Sequence, residues 1–386
     1  MGLSTYSFKL PTRVEFGSGV INKVGQEAKA LGATKVMIIS DKGVINAGLV
    51  KPVEESLTAA GIDYMIFDHV VANPRITSCN EGAEIAKAEK VNFLVAVGGG
   101  SPMDTAKAIG TLLTHGKTVQ DWCGDHLLER EITPLIAIPT TAGTGSEVTP
   151  FAVVTDTEAH KKLNIFDDRA AAKVALIDPG VLMNLPSHVM ASTGVDALTH
   201  AVESYTCTVA TPHTDAYALY AIELISKNIR DAVHTPTLEN CTGMMLGSTI
   251  AGIAFGCADC AAIHCMAEAI GGRYDTPHGV SCAVFLPSIS RYNVPSDTEK
   301  YANIAKALGI NTFDMTLAEA AEAGIKELEN ICVDVGIPKF RDLKGVNVDD
   351  FPALAKASSE NVSNGSNPRP ISEEEYLRLF HQIYNE

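Results

Sequence analysis

The sequence predicts an α/β N-terminal domain over residues 1–186 and an all-α C-terminal domain over residues 187–386. Two observations carry this division. In the first half, short and wholly apolar runs alternate with amphipathic segments closed by glycine, the pattern of a parallel sheet covered on both faces. From Ser187 onward the alternation stops, and long segments of helical periodicity follow one another. A chain of 386 residues also suits two domains better than one.

Taken in order, Val14-Glu-Phe-Gly17 reads as a strand, and Gly19 opens an amphipathic helix. Residues 35–40 form an apolar β-branched strand that ends at Asp41. The helix over 50–60 stops at Gly61, and a strand follows over 62–67. Helix 79–89, strand 91–97, helix 104–113 and strand 135–138 continue the alternation. In the second half, residues 192–205, 216–229, 243–254 and 259–270 read as helices, the last ended by Gly271-Gly272. Pro277 starts the next helix and sets His278 in its first turn. Residues 301–308, 317–333 and 373–384 close the domain as amphipathic helices, and 358–370 is a polar loop.

Composition excludes several classes of function. Hydrophobic residues at 46% and charged residues at 20% describe a globular protein with a large core. A net charge of −16 argues against a nucleic-acid partner, which needs clustered Lys and Arg. No apolar run reaches the length of a membrane span. The N-terminal stretch has no charged segment followed by an apolar core, and nine scattered cysteines do not read as a disulfide framework. The expectation is a cytoplasmic protein, with Cys257 and Cys260 as small packing residues.

Two turns carry chemistry. The strand over 91–97 runs into Gly98-Gly-Gly-Ser-Pro-Met-Asp104, where glycines let backbone N–H groups approach an anion at the start of a helix. Ser101 and Asp104 equally suit a simple capping box. The second turn, Pro139-Thr-Thr-Ala-Gly-Thr-Gly-Ser-Glu147, lines the sheet's carboxyl edge with hydroxyls. Asp41 suits a ribose diol and favours NAD over its 2′-phosphorylated form. Here the acidic residue precedes the glycines, the reverse of the common dinucleotide fingerprint, so the strand order must differ from the common one.

In Gly194-Val-Asp-Ala-Leu-Thr-His200, Asp196 and His200 lie four apart, about 5–6 Å at Cβ on one helix face. A carboxylate oxygen and an imidazole nitrogen are half of a divalent metal site. His264 and His278 supply the other half, and the four read together as one mononuclear centre.

With these residues in view, the chain resembles the iron-containing (group III) alcohol dehydrogenases, in the branch of lactaldehyde:propanediol oxidoreductase and 1,3-propanediol dehydrogenase. The carriers are the two turns above, His160-Lys-Lys162, Ile177-Asp-Pro179, Thr193 to Glu203, and Pro277-His-Gly279. The resemblance implies a dehydroquinate synthase-like architecture with an NAD-binding first domain and a helical metal-binding second domain. It implies metal ligands at Asp196, His200, His264 and His278, with Fe2+ or sometimes Zn2+. It further implies cofactor contacts at Asp41, Asn73, Gly99, Gly100, Ser101, Thr140, Thr141, Thr144, Lys162 and Leu182. Dimers are common in the family, with larger assemblies in some members.

One position departs from that pattern. Four residues after His264 most of the branch carries a second histidine placed to relay a proton, and here Glu268 stands instead. A carboxylate there suits the same relay, a metal contact, or a solvated helix face. The implied reaction is reversible, metal-assisted hydride transfer between NAD(H) and a short primary alcohol or diol and its aldehyde. The rivals are a dehydroquinate synthase-like lyase that retains its NAD, and an inactive homologue that binds metal and nucleotide.

Overall fold

The apolar runs of the first half become strands of one wholly parallel sheet. They are β1 (Arg13–Phe16), β2 (Lys35–Ile39), β3 (Asp63–Phe67), β4 (Phe93–Gly98), β6 (Leu135–Pro139) and β9 (Val174–Ile177), in the order β1-β9-β6-β4-β2-β3. The computed structural model describes residues 5–158 and 161–386. β4, β6 and β9 are buried at every position, which is why their sequences show no polar alternation. The two faces feed separate cores. Met37 and Ile39 pack with Cys79, Ala83, Met103 and Ile109 of α4 (Ile76–Ala88) and α5 (Gly100–His115). Val36 and Ile38 pack with Val24, Ala28, Val53 and Leu57 of α1 (Val24–Ala30) and α3 (Lys51–Ala60), on either side in sequence of the short α2 (Lys42–Asn46).

The strand order resolves the inverted fingerprint. From β2 the chain moves outward to β3, whereas from β4 it moves the opposite way to β6. The reversal therefore falls between β2 and β4, and open α/β sheets bind ligands beyond the carboxyl ends of strands at such a point. Asp41 follows β2 and Gly99 follows β4, so acid and glycines meet there although the acid comes first in sequence.

A second, three-stranded sheet is absent from the sequence-based reading. It is formed by β5 (Gly124–Asp125), β8 (Lys161–Phe166) and β7 (Phe151–Asp156), with β7 and β8 antiparallel. Polar Lys161, Lys162 and Asn164 break the apolar pattern of β8, which hides it from a periodicity argument. His160 lies outside the described residues.

The helical unit contains α6 (Ser187–Thr206), α7 (Pro212–His234), α8 (Leu238–Cys257), α9 (Ala262–Tyr274), α10 (His278–Asn293), α11 (Thr298–Ala307), α12 (Leu317–Asp334), α13 (Phe351–Ser359) and α14 (Glu373–Asn385). α9 starts three residues later than the sequence suggests, because the Asp259 carboxylate instead accepts hydrogen bonds from Ser363 and Ser366. It also runs past Gly271-Gly272 and ends at Asp275, whose φ of 54° closes it in the left-handed region. By internal contact the chain divides into Leu10–Asn184 and a second unit in which the first residues join Leu185–Glu386. Residues 5–9 go with the helices because Phe8 stacks on His213 and Tyr217 of α7, and the Tyr6 hydroxyl lies 2.8 Å from His213 Nδ1. No single helix among the described residues is long and apolar enough to cross a membrane.

Within this unit α10 approaches α6 at backbone distance. A Cβ on Gly279 would sit 2.4 Å from the Ser192 carbonyl oxygen. Gly279→Ala should therefore destabilise the protein by roughly 1–3 kcal/mol as α10 is pushed off α6. Urea denaturation of this variant and wild type checks the figure, and metal affinity should fall with it because His278 is the adjacent residue.

Candidate functional site

Helical periodicity gives α6 one face bearing Asp196, His200 and Glu203, at spacings of four and three residues. All three are buried. α9 brings buried His264 to this face, and the first turn of α10 brings His278. His264 Nε2 lies 4.0 Å from Asp196 Oδ1, and His278 Nε2 lies 3.8 Å from the same oxygen. Tetrahedral geometry with zinc-like bond lengths separates ligand atoms by about 3.3–3.8 Å, so these three side chains stand close to the spacing of a divalent ion's donors.

The electrostatics point the same way. Glu203 accepts the Ile263 N–H at 2.7 Å through one oxygen, and its other oxygen lies 2.5 Å from His264 Nδ1. The carboxylate accepts a hydrogen bond from Nδ1–H, which in the neutral ring leaves Nε2 with a lone pair. Asp196 Oδ1 and His264 Nε2 are both buried with no hydrogen-bond partner among the described residues. Two buried acceptors facing each other cost about 1–3 kcal/mol each, and a cation between them removes that cost. Burial pushes the His264 pKa down, but the Glu203 and Asp196 carboxylates outweigh it and hold the ring above its ordinary value. The pocket favours positive charge, and a divalent ion fits its donor chemistry.

Glu203 is the residue that sequence reasoning missed. Its signal was legible as the third acidic or imidazole group on the Asp196–His200 face. Glu203→Gln should weaken metal binding about 10–100-fold with the fold intact, measured by competition against a chromophoric chelator.

The four expected ligands are not all equivalent. Asp196, His264 and His278 share a donor group whose fourth member is Cys282, with all ligand atoms within 4.8 Å of one another. His200 belongs to an overlapping group with His264 and Cys260. Its ring stacks on Phe255 at 4.1 Å and on His264 at 4.7 Å between centroids. Cys260, expected to be a packing residue, thus also borders the centre. Glu268 joins neither donor group, and its carboxylate accepts the Asn361 side-chain amide at 2.7 Å.

The residues expected at a cofactor gather in the α/β unit. Gly99 caps the N-terminus of α5, and Gly100 and Ser101 form the first turn of that helix. A Cβ on Gly99 would come to 3.2 Å from Thr141 Oγ1, and one on Gly100 to 3.0 Å from Thr144 Cγ2. The two chemistry-bearing turns are thus in contact, with Thr140 buried beside them and its N–H bonded to the Gly98 carbonyl at 3.0 Å. Asp41 caps α2 by accepting the Val44 N–H at 3.0 Å through Oδ1. Lys162 donates to Asn73 Oδ1 at 2.8 Å, and Asn73 holds a φ of 56°. Leu182 is fully buried in the 3-10 turn after β9.

The capping-box reading of Ser101 and Asp104 does not hold. Asp104 accepts the Ser146 hydroxyl at 2.7 Å and the Val153 N–H at 3.1 Å. One helical turn on, fully buried Lys107 donates to Ser146 Oγ, the Thr149 carbonyl and the Phe151 carbonyl at 3.0, 3.0 and 2.7 Å. Burial lowers the Lys107 pKa to about 8 against the opposing pull of Asp104 and Glu147, and burial likewise raises that of Asp104. This network ties the turn after β6 to the helix that carries the glycines.

Comparison with known proteins agrees with this geometry. Residues 11–179 match the profile described as "Iron-containing alcohol dehydrogenase", and residues 190–384 match "Fe-containing alcohol dehydrogenase family, C-terminal". The chain is 41% identical to a choline dehydrogenase of Bacillus subtilis (strain 168), covering 98% of this chain and 95% of the relative. It is 39% identical to the 1,3-propanediol dehydrogenase of Citrobacter freundii over the whole of both chains. Among solved structures, a 1,3-propanediol oxidoreductase superposes with a TM-score of 0.96 at 39% identity, covering 98% of this chain and 100% of that one. Two matched profiles, full-length relatives and a shared fold lead to one statement: the chain belongs to the iron-containing alcohol dehydrogenase family.

Proposed function

We propose that this enzyme moves hydride reversibly between NAD(H) and a short-chain primary alcohol or diol and its aldehyde, working chiefly as an aldehyde reductase. The observation that carries the reading is the cluster of buried Asp196 and His264 with half-buried His278, in which two buried acceptor atoms have no hydrogen-bond partner among the described residues. When bound, ferrous iron (or zinc in its place) supplies Lewis-acid polarisation of the substrate's oxygen, and NADH supplies the hydride.

In this reading Asp196, His200, His264 and His278 hold the metal, and Glu203 keeps His264 Nε2 available to it. His264 is thus a donor whose orientation the protein fixes through a second carboxylate. Gly99, Gly100 and Ser101 give the cofactor's pyrophosphate a close backbone approach at the start of α5, and Thr140, Thr141 and Thr144 offer hydroxyls beside it. Asp41 takes the ribose diol, which selects NAD over NADP. Lys162 and Asn73 are a coupled polar pair for the same cofactor, and Leu182 is an apolar wall. Glu268, one turn beyond His264, is the proton relay, oriented by Asn361. Glu268→Gln should lower kcat with metal content retained and remove a limb of the kcat–pH profile; an unchanged profile excludes Glu268 from proton transfer.

The deciding assay is NADH oxidation by ferrous-loaded, anaerobic enzyme against short aldehydes, with NADPH alongside and choline tested in the oxidative direction. Rapid turnover with NADH alone supports both the reaction and the role of Asp41. Silence on every compound, with metal and NADH shown to be bound, refutes the reaction. The family resemblance and the nine free thiols support a cytoplasmic homodimer, which cell fractionation and light scattering measure.

A further inference from the structure

We infer that Asn164 on β8 holds the carboxamide of the cofactor's nicotinamide ring, an inference that rests on the NAD(H) reading above. In the β7–β8 pair, Val153 stands opposite Asn164 and Thr155 opposite Lys162. Successive residues of a strand point to opposite faces, so these four share one face, and Val154, Leu163 and Ile165 share the other. The second face is filled. Val154 and Ile165 are buried in the core that α4 and α5 form with the large sheet, and Leu163 packs against it. The first face is only half-buried, yet Asn164 Oδ1 and Thr155 Oγ1 are buried atoms on it with no hydrogen-bond partner among the described residues. A buried polar atom that bonds to nothing is costly, and a ligand that completes it removes the cost.

This face stands beside the groups already given to the cofactor. Lys162, two residues before Asn164, donates to Asn73 at 2.8 Å. The Val153 N–H is taken at 3.1 Å by Asp104 of α5, the helix that opens with Gly100 and Ser101. Asp41 and the glycine turn serve a ribose diol and the pyrophosphate, which leaves the nicotinamide end for β7 and β8. The chemistry of that end matches the face. A carboxamide presents one carbonyl acceptor and an NH2 donor, and the Asn164 amide presents the same set, its two ends exchanged by a half-turn about χ2. Val153 opposite it is apolar, and the next cross-strand pair, Phe151 and Phe166, stacks at 5.8 Å between ring centroids and extends the surface for a flat ring. Holding the carboxamide fixes the ring's rotation about its glycosidic bond, a setting that hydride transfer needs.

Titration calorimetry of the metal-loaded protein separates this contact from the rest of the cofactor site. The probes are NADH, ADP-ribose, which lacks the nicotinamide, and the acetylpyridine analogue of NADH, in which a methyl group replaces the carboxamide NH2. Wild type should bind NADH more tightly than either of the others. Asn164→Leu, which keeps the size of the side chain, should weaken NADH about tenfold, the worth of a hydrogen bond or two, and leave ADP-ribose unchanged. An equal loss for NADH and ADP-ribose overturns the inference, because it makes Asn164 a support of the strand pair rather than a partner of the ring. No loss for NADH overturns it as well, and both results leave the NAD(H) reading standing. Failure of the wild type to bind NADH or ADP-ribose defeats that reading together with this contact. Should Asn164→Leu fail to fold, Asn164→Ala is the second variant, and equal wild-type affinity for NADH and its acetylpyridine analogue overturns the inference without any variant.

Discussion

Asp196→Ala is expected to lower kcat/KM by about 10³-fold or more, since Lewis-acid stabilisation supplies several kcal/mol and each 1.36 kcal/mol is tenfold. The size follows from the position of this carboxylate. Oδ1 lies within 4.0 Å of both His264 Nε2 and His278 Nε2, so its removal takes away the donor that stands between α9 and α10. The fold should survive. Asp196 Oδ1 is buried with no hydrogen-bond partner among the described residues, so truncation removes a buried acceptor rather than a structural hydrogen bond. Metal content by atomic absorption, NADH oxidation and far-ultraviolet circular dichroism together check the outcome. Retained turnover in a metal-free variant would contradict the scheme. Stripping the metal from the wild type should reproduce the same loss, reversed on adding ferrous ion.

Lys107→Met should cost about 3–5 kcal/mol, the typical penalty for removing one partner of a buried ion pair. Methionine fills most of the volume but donates no hydrogen bond. The carbonyls of Thr149 and Phe151 lose their donor, and Asp104 keeps its place in a site where burial already raises its pKa. The double substitution Lys107→Met with Asp104→Leu should recover part of the loss, because it removes the stranded charge as well. Thermal unfolding of both variants measures this. The same network holds the turn after β6, which carries the proposed cofactor contacts Thr141 and Thr144, so KM for NADH should rise more than kcat falls in any variant that still folds. An arginine in place of Lys107 would not fit a position with no exposure at all.

The sequence displays the sheet strands and the metal-bearing helices for a physical reason. Strands buried on both faces and helices bounded by glycine or proline leave periodic signals that local reasoning reads well. The Asp196–His200 spacing is likewise local, and a pair on one helix face is visible without a structure. What escapes is whatever depends on contacts between distant segments. Cys282 enters the donor group only because α10 crosses α6 at Gly279, and no spacing rule announces that crossing. Lys107 reads as an ordinary helix residue until Thr149 and Phe151 are seen to fold over it. The β7–β8 pair is hidden by its lysines, and the late start of α9 by an aspartate that binds the loop after α13 instead of capping the helix. Even the order of Asp41 and the glycines misleads until the strand order is known.

The docking of Phe8 onto α7 has a consequence during synthesis. Tyr6 and His213 are 207 residues apart, and the whole α/β unit lies between them in the chain. At roughly 5–20 residues per second, the first aromatic side chains leave the ribosome on the order of 10–40 s before their platform exists. The α/β unit can fold in that interval while the leading segment waits unpaired. Docking of this segment must therefore await synthesis of α7, and removing residues 5–9 should slow or weaken folding of the helical unit while sparing the folding of the sheet.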